Sequence, residues 1–363
     1  MRFEVQAPHR HAEMGYRLLK VFAPFSTAAG MVRFHHVRWD GGDGAVFNGE
    51  RVPFGSHLLH LADRVSVLRD RSEYILNQSE GIRERIGKES GGMFKPELVE
   101  AFMRASEKPS FWLNAASPRP ELARPRDGAA PVLSLDSCEL LSLTRLFAHI
   151  IDFRSKYTAT HSAGVAAVAK TLADRAGFSV RDCRMMEIAG YLHDLGKLAV
   201  PTEILENPAK LTKEEYNVIF SHPFHTRRAL QRIRGLDTVN IWASNHHERL
   251  NGRGYPGRLQ PKELPLGSRI VAVADVFTAT LEDRPYQRNL GVETSLGIIG
   301  RMAASSELDP EIARLLRDDP AGMDSIRAAA QAKAAREYGE FYLHGDLGTD
   351  GKCSAPARAG AAR

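Results

Sequence analysis

The chain has 363 residues, 43% of them hydrophobic, and its 49 basic and 44 acidic side chains leave a net charge of +5. That length suffices for two domains with cores of their own, and the small, scattered basic excess argues against a nucleic-acid polymer as partner while leaving an anionic small ligand open. No apolar run is long enough to cross a bilayer, and the first residues lack a signal-peptide core. Cys138, Cys183 and Cys353 are too widely spaced for a disulfide framework or a thiolate metal site, so the cytoplasm is the expected compartment.

Residues 1–114 alternate helical stretches with short breaks, and residues 115–135 hold four prolines and few large apolar side chains, the composition of a linker. From 136 the pattern is strongly helical. CELLSLTRLFAHIIDF places Leu140, Leu141, Leu143, Leu146, Phe147, Ile150 and Ile151 on one broad face. HSAGVAAVAKTLADRAG follows and stops at Gly177, a natural helix end. Next come MMEIAGYLHDLGK and TKEEYNVIFSHPFHTRRALQRI, the latter opening with Thr212 and Glu215 in capping-box register. GSRIVAVADVFTATLEDR could pass for a buried strand, but its length and alanines predict a helix. Residues 341–363, rich in Gly, Ala and Arg, read as a disordered tail. The fold class predicted is all-α, with a second domain over 136–340.

The N-terminal region repeats part of that second domain. His11 precedes His35-His36 by 24 positions, and His222 precedes His246-His247 by the same 24. VPFGSHLLHLAD (52–63) then mirrors LPLGSRIVAVAD (264–275), with proline, glycine, serine and aspartate in register after the loss of one residue. GGDGAVF stands where the other copy has GRGYPG, and nothing before His11 supplies a front half. Residues 9–110 are therefore expected to be structural, non-catalytic and without a metal of their own. Their apolar faces must pack on the C-terminal domain, on a second protomer, or on residues upstream of the present start.

The chemistry is carried by His161, the His193-Asp194 dyad, His222, the His246-His247 pair and Asp275, five histidines and two carboxylates with no cysteine. Imidazole and carboxylate suit Fe, Mn, Zn or Ni. Seven such groups exceed one site that leaves room for water, whereas two metals bridged by an aspartate fit the count and are a common device for hydrolysing phosphate esters.

LHDLGK followed by HHERLNGRGYP resembles the HD-GYP family of bacterial cyclic di-GMP phosphodiesterases, a branch of the HD-domain phosphohydrolases; the likeness covers residues 140–320. The resemblance implies an HD-domain-like helical bundle with a GYP loop, preceded by a smaller, degenerate half-copy. It implies that His161, His193, Asp194 and Asp275 hold one metal, and that Asp194 bridges to a second held by His222, His246 and His247. Fe or Mn is the expected pair, with Zn or Ni as alternatives. Asp194 and Lys197 would be catalytic. Lys197 would contact the scissile phosphate, Arg284 would bind the nucleotide's phosphate, and Tyr255 lies on the loop that shapes the substrate side. A metal-activated hydroxide would attack phosphorus and the ribose 3′-oxygen would leave, giving linear dinucleotide and onward GMP.

Three positions depart from the family pattern. Asn251 replaces an aspartate and keeps turn-forming chemistry; Tyr157 replaces a glutamate that helps some members hold a third metal; Thr278 stands where substrate-contacting members carry an acidic residue. Two alternatives stay open: another cyclic dinucleotide such as cyclic GMP-AMP, or a signalling adaptor acting through protein contacts, with a homodimer or signalling protein as further partner.

Overall fold

Three helices of the second unit, those beginning at Val180, Lys213 and Pro310, open on a side-chain cap. The computed structural model describes residues 8–117, 134–153, 160–205, 207, 209, 211–283 and 289–343, the side chains of 8–10, 153 and 338–343 apart. Most of the expected linker and tail, together with Arg284 and Tyr157, lie outside the described residues. The chain divides into two units, Met1–Ser134 with Leu343–Arg363, and Leu135–Tyr342.

In the first unit, α1 (Pro8–Lys20) packs on α2 (Ser26–Arg33), and α3 (Phe54–Leu68) to α6 follow, with α4 (Ile75–Lys88), α5 (Pro96–Ala105) and α6 (Pro109–Ala116) sharing a core of Leu61, Ile82, Ile86, Phe102 and Trp112. The one sheet among the described residues is a two-stranded ribbon, Val46–Phe47 against Glu50–Arg51. Its Asn48-Gly49 turn has φ of 51° and 80°, the left-handed pair that closes a tight hairpin. This minor ribbon leaves the class all-α, as expected.

The second unit opens with α7 (Ser137–Phe153), then α8 (His161–Arg175) and α9 (Val180–Leu192). The small residues of α8 let it lie close to α9 and α14 (Leu266–Thr280), and Ala163, Ala166, Ala169 and Ala173 are all buried. Ser179 caps α9 by accepting from the Asp182 amide at 3.1 Å. Short α10 (Thr202–Leu205) leads to α11 (Lys213–Phe220), where Thr212 and Glu215 form the expected capping box. The single helix read across TKEEYNVIFSHPFHTRRALQRI breaks at Ser221, and α12 (His222–Leu230) starts anew with Pro223 in its first turn. Helix α13 (Asp237–Ser244) precedes the glycine loop.

The segment that could have been a strand is α14, with Ile270, Val271, Val273, Ala274 and Phe277 inaccessible. A helix apolar on every side must sit at the centre, and α14 does, packed by α8, α13, α15 (Val292–Ala304) and α16 (Pro310–Arg317). Asp309 caps α16 through the Glu311 and Ile312 amides, and α17 (Pro320–Leu343) ends the described chain. No helix among the described residues is long and apolar enough to cross a membrane.

Candidate metal centre

The site gathers at helix ends around α14. His161 and His222 are the first residues of α8 and α12, Asp275 projects from α14, and His193-Asp194 come directly after α9. His246-His247 lie just beyond the end of α13, so a helix terminus rather than a helix face aims them.

These side chains converge. His161, His193 and Asp275 form one group of ligand atoms within 4.8 Å of one another, and His222, His246 and His247 form a second. Asp194 stands between them. Its Oδ2 is 3.3 Å from His193 Nε2, while its Oδ1 is 3.2 Å from His222 Nε2 and 3.9 Å from His246 Nε2. His161 Nε2 lies 3.2 Å from Asp275 Oδ1. All but His247 are at least nine-tenths buried.

Ring orientation is set from behind. His193, His222 and His246 each donate Nδ1–H to the carbonyl three residues earlier (Gly190, Ile219, Ala243), every one at 2.7 Å. A carbonyl only accepts, so Nδ1 carries a proton and each Nε2 is directed inward. His161 donates Nδ1–H to Glu282 at 2.9 Å, and Gln331 holds the same carboxylate at 2.6 Å. The sequence reading missed Glu282, Gln331 and Thr226. Thr226 accepts from the Gly196 amide and donates to the His193 carbonyl, locking the dyad's backbone onto α12. None of the three has a sequence signal, because each is identified only by the group it supports.

The charges suit cations. Burial pushes the Asp194 carboxyl up, but His193 and Lys197 more than offset this and hold it well below the usual carboxylate range. Asp275 is held low in the same way: burial opposes, and His161 and His193 prevail. Burial pushes His247 down to about 3 and drives His246 well below its ordinary value. The result is ionised carboxylates beside neutral His246 and His247, protonation states that suit a metal. His193 Nε2 is buried with no hydrogen-bond partner, although Asp194 lies near it. An orphaned, inward-facing imidazole nitrogen among carboxylates fits a divalent metal, as does the all-N/O donor set.

The other expected residues fare differently. Lys197, in a 3-10 turn after the dyad, places Nζ 2.5 Å from Asp194 Oδ2. Tyr255 stacks on His247 at 4.6 Å and on Phe220 at 3.5 Å between ring centroids, so its ring packs against a site histidine. Gly254 serves by lacking a side chain rather than by an unusual backbone angle: a Cβ there would stand 2.3 Å from the Arg249 amide and 2.4 Å from Glu248 Cα. Buried Glu248, also missed, ties the loop down by accepting from the amides of Gly257 and Leu259. Asn251 accepts from the Arg253 amide at 3.0 Å, which is the turn chemistry expected of it. Thr278 is inaccessible, with its methyl against α8.

Comparison with known proteins agrees. The HD domain family model matches residues 145–312. The chain is 33% identical over 312 residues to 3′3′-cGAMP-specific phosphodiesterase 1 of Vibrio cholerae serotype O1, covering 84% of this chain and 72% of that protein. It is 37% identical over 172 residues to the cyclic di-GMP phosphodiesterase response regulator RpfG of Xanthomonas campestris pv. campestris, covering 47% of this chain and 45% of that one. A solved cyclic GMP-AMP specific phosphodiesterase of V. cholerae, V-cGAP3, matches with a TM-score of 0.55 at 26% identity over 90% of this chain and 71% of its own. The chain belongs to the HD-domain phosphodiesterases of the HD-GYP kind.

Proposed function

We propose that the chain is a metal-dependent phosphodiesterase that opens a cyclic dinucleotide to its linear form. The observation that carries this reading is Asp194, whose two oxygens face two different sets of histidines. His161, His193, Asp194 and Asp275 would hold one divalent metal, and Asp194, His222, His246 and His247 a second. When bound, two such ions, Fe or Mn in the sequence reading, supply Lewis acidity and acidify water toward neutral pH. Glu282 and the three backbone carbonyls keep the imidazoles oriented with Nε2 toward the site. Lys197, now paired with Asp194, would turn its ammonium to the non-bridging phosphate oxygens as charge builds there. Arg284 would take a nucleotide phosphate, and Tyr255 would brace His247 at the substrate side. The reading keeps the cytoplasm as compartment and a homodimer or signalling protein as further partner.

Cyclic di-GMP is the expected substrate, supported by relatives of that name that match under half of the chain. A specific observation favours a second reading: the relative that matches 84% of the chain, and so most of both units, is named for 3′3′-cGAMP. Product chromatography after anaerobic incubation of the Mn- or Fe-loaded chain with each nucleotide tests both. Linear product from either supports the phosphodiesterase, and relative kcat/KM ranks the substrates. No product from either, with both metals bound, returns the adaptor reading.

A further inference from the structure

Three imidazoles stand together in the N-terminal unit, where the sequence argued against a metal. His11 lies on α1, and His35-His36 follow α2 after Phe34. His11 Nε2 is 3.3 Å from His35 Nε2 and 2.8 Å from His36 Nε2, and the three ligand atoms lie within 4.8 Å of one another. Their arrangement duplicates His222, His246 and His247. The first and second rings are 5.2 Å apart here and 5.3 Å there. The adjacent pair is 4.0 Å apart and tilted 40° here, 4.1 Å and 44° there. The first and third rings meet edge-on in both, at 81° and 86°. His35 also donates Nδ1–H to the carbonyl three residues back, Val32, as His246 does to Ala243.

We propose that His11, His35 and His36 form a mononuclear site for a divalent metal of the zinc class, separate from the dinuclear centre. Zinc binds imidazole nitrogen at about 2.0–2.1 Å, which in tetrahedral geometry sets nitrogens about 3.3 Å apart, the spacing of His11 and His35. Hydrogen bonding inside the cluster serves these atoms poorly. His35 Nδ1 is committed to the Val32 carbonyl, which leaves its Nε2 facing the cluster, and His11 Nε2 stands against both His35 and His36 at once. One ion at the centre engages all three lone pairs.

The three imidazoles make one ligand set, enough for one ion. Asp63, the counterpart of Asp275, is drawn to Arg64 Nη2 at 2.5 Å. His11 is exposed and the pair is half-buried, so the ion would exchange with solvent and yield to chelators. Linking α1 to the end of α2, it would stabilise the N-terminal unit and do no phosphoester chemistry.

The test is zinc per chain, measured on the full-length chain and on its H11Q/H36Q variant after apo-protein is loaded with zinc and desalted. The variant should carry one equivalent fewer, and its metal-induced rise in melting temperature should shrink while its apo melting temperature is unchanged. Equal zinc in the two overturns the proposal. If H11Q/H36Q fails to fold, H36C loaded with cobalt(II) decides instead. A thiolate-to-cobalt charge-transfer band absent from the parent chain, which has the same three native cysteines, supports residue 36 as a ligand; its absence in folded H36C overturns it. Hydrolysis enters neither readout, so the outcome is independent of substrate.

Discussion

Asp194 presents one oxygen to His193 and the other to His222 and His246. Asp194→Ala should therefore abolish both hydrolysis and dinuclear occupancy; elemental analysis retaining both of those ions would remove its bridging role. Lys197→Ala should leave metal content intact and lower kcat on the order of 100-fold with little change in KM, the pattern of a group that acts in the transition state. An unchanged turnover number would exclude Lys197 from the reaction. Asp152 offers a pH test. Burial pushes this carboxyl from 3.8 up to about 7, and Ser162 donates to it at 3.0 Å. Between those values the folded chain keeps a proton that the unfolded chain has lost, so this group's contribution to stability falls as pH rises from about 4 to about 7 and then levels. Asp152→Asn should flatten that slope in denaturant titrations of the metal-free chain, and an unaltered slope would assign it to other groups.

At the scale of elements, the site depends on how helices start and stop. Helix α11 opens on a reciprocal cap, and α12, which carries His222, follows it directly. Thr212→Ala should cost about 1 kcal/mol of stability, read as a lower denaturation midpoint, with hydrolysis retained because the cap lies a full helix from His222. The loop after His247 depends on Glu248, whose two oxygens take two backbone amides. A glutamine there turns an NH2 toward one of these donors. Glu248→Gln should lower kcat/KM on the order of 10-fold, the loss of one hydrogen bond to a charged group, with metal content preserved. An unchanged kcat/KM would separate loop anchoring from catalysis.

On the scale of the whole molecule, ions that bind only the folded chain stabilise it by mass action. One site at a hundredfold excess over Kd contributes about 2.7 kcal/mol. For a unit the size of Leu135–Tyr342, that corresponds to a melting temperature roughly 5–10 °C higher. Chelation should produce a drop of this order, reversed by Mn or Fe; a melting curve indifferent to chelator would contradict a buried ligand set that depends on its ions.

The residues that converge at the candidate centre were legible in the sequence because histidine and aspartate recur there at unusual density, and His193-Asp194 with His246-His247 sit in motifs of contiguous residues. The helices were legible from apolar spacing, and α14 from its length and alanines. What the chain alone withheld is everything set by approach through space. Glu282 supports His161 across 121 positions, Thr226 clasps the dyad across about thirty, and neither contact leaves a periodic trace. The break at Ser221 and the placing of His246-His247 past a helix end were hidden because local patterns predict helix existence better than helix boundaries. The spacing of 24 between His11 and His35 was visible from the start. Spacing records only that two residues recur, whereas the convergence of three Nε2 atoms depends on how α1 packs against α2, which only the tertiary structure decides.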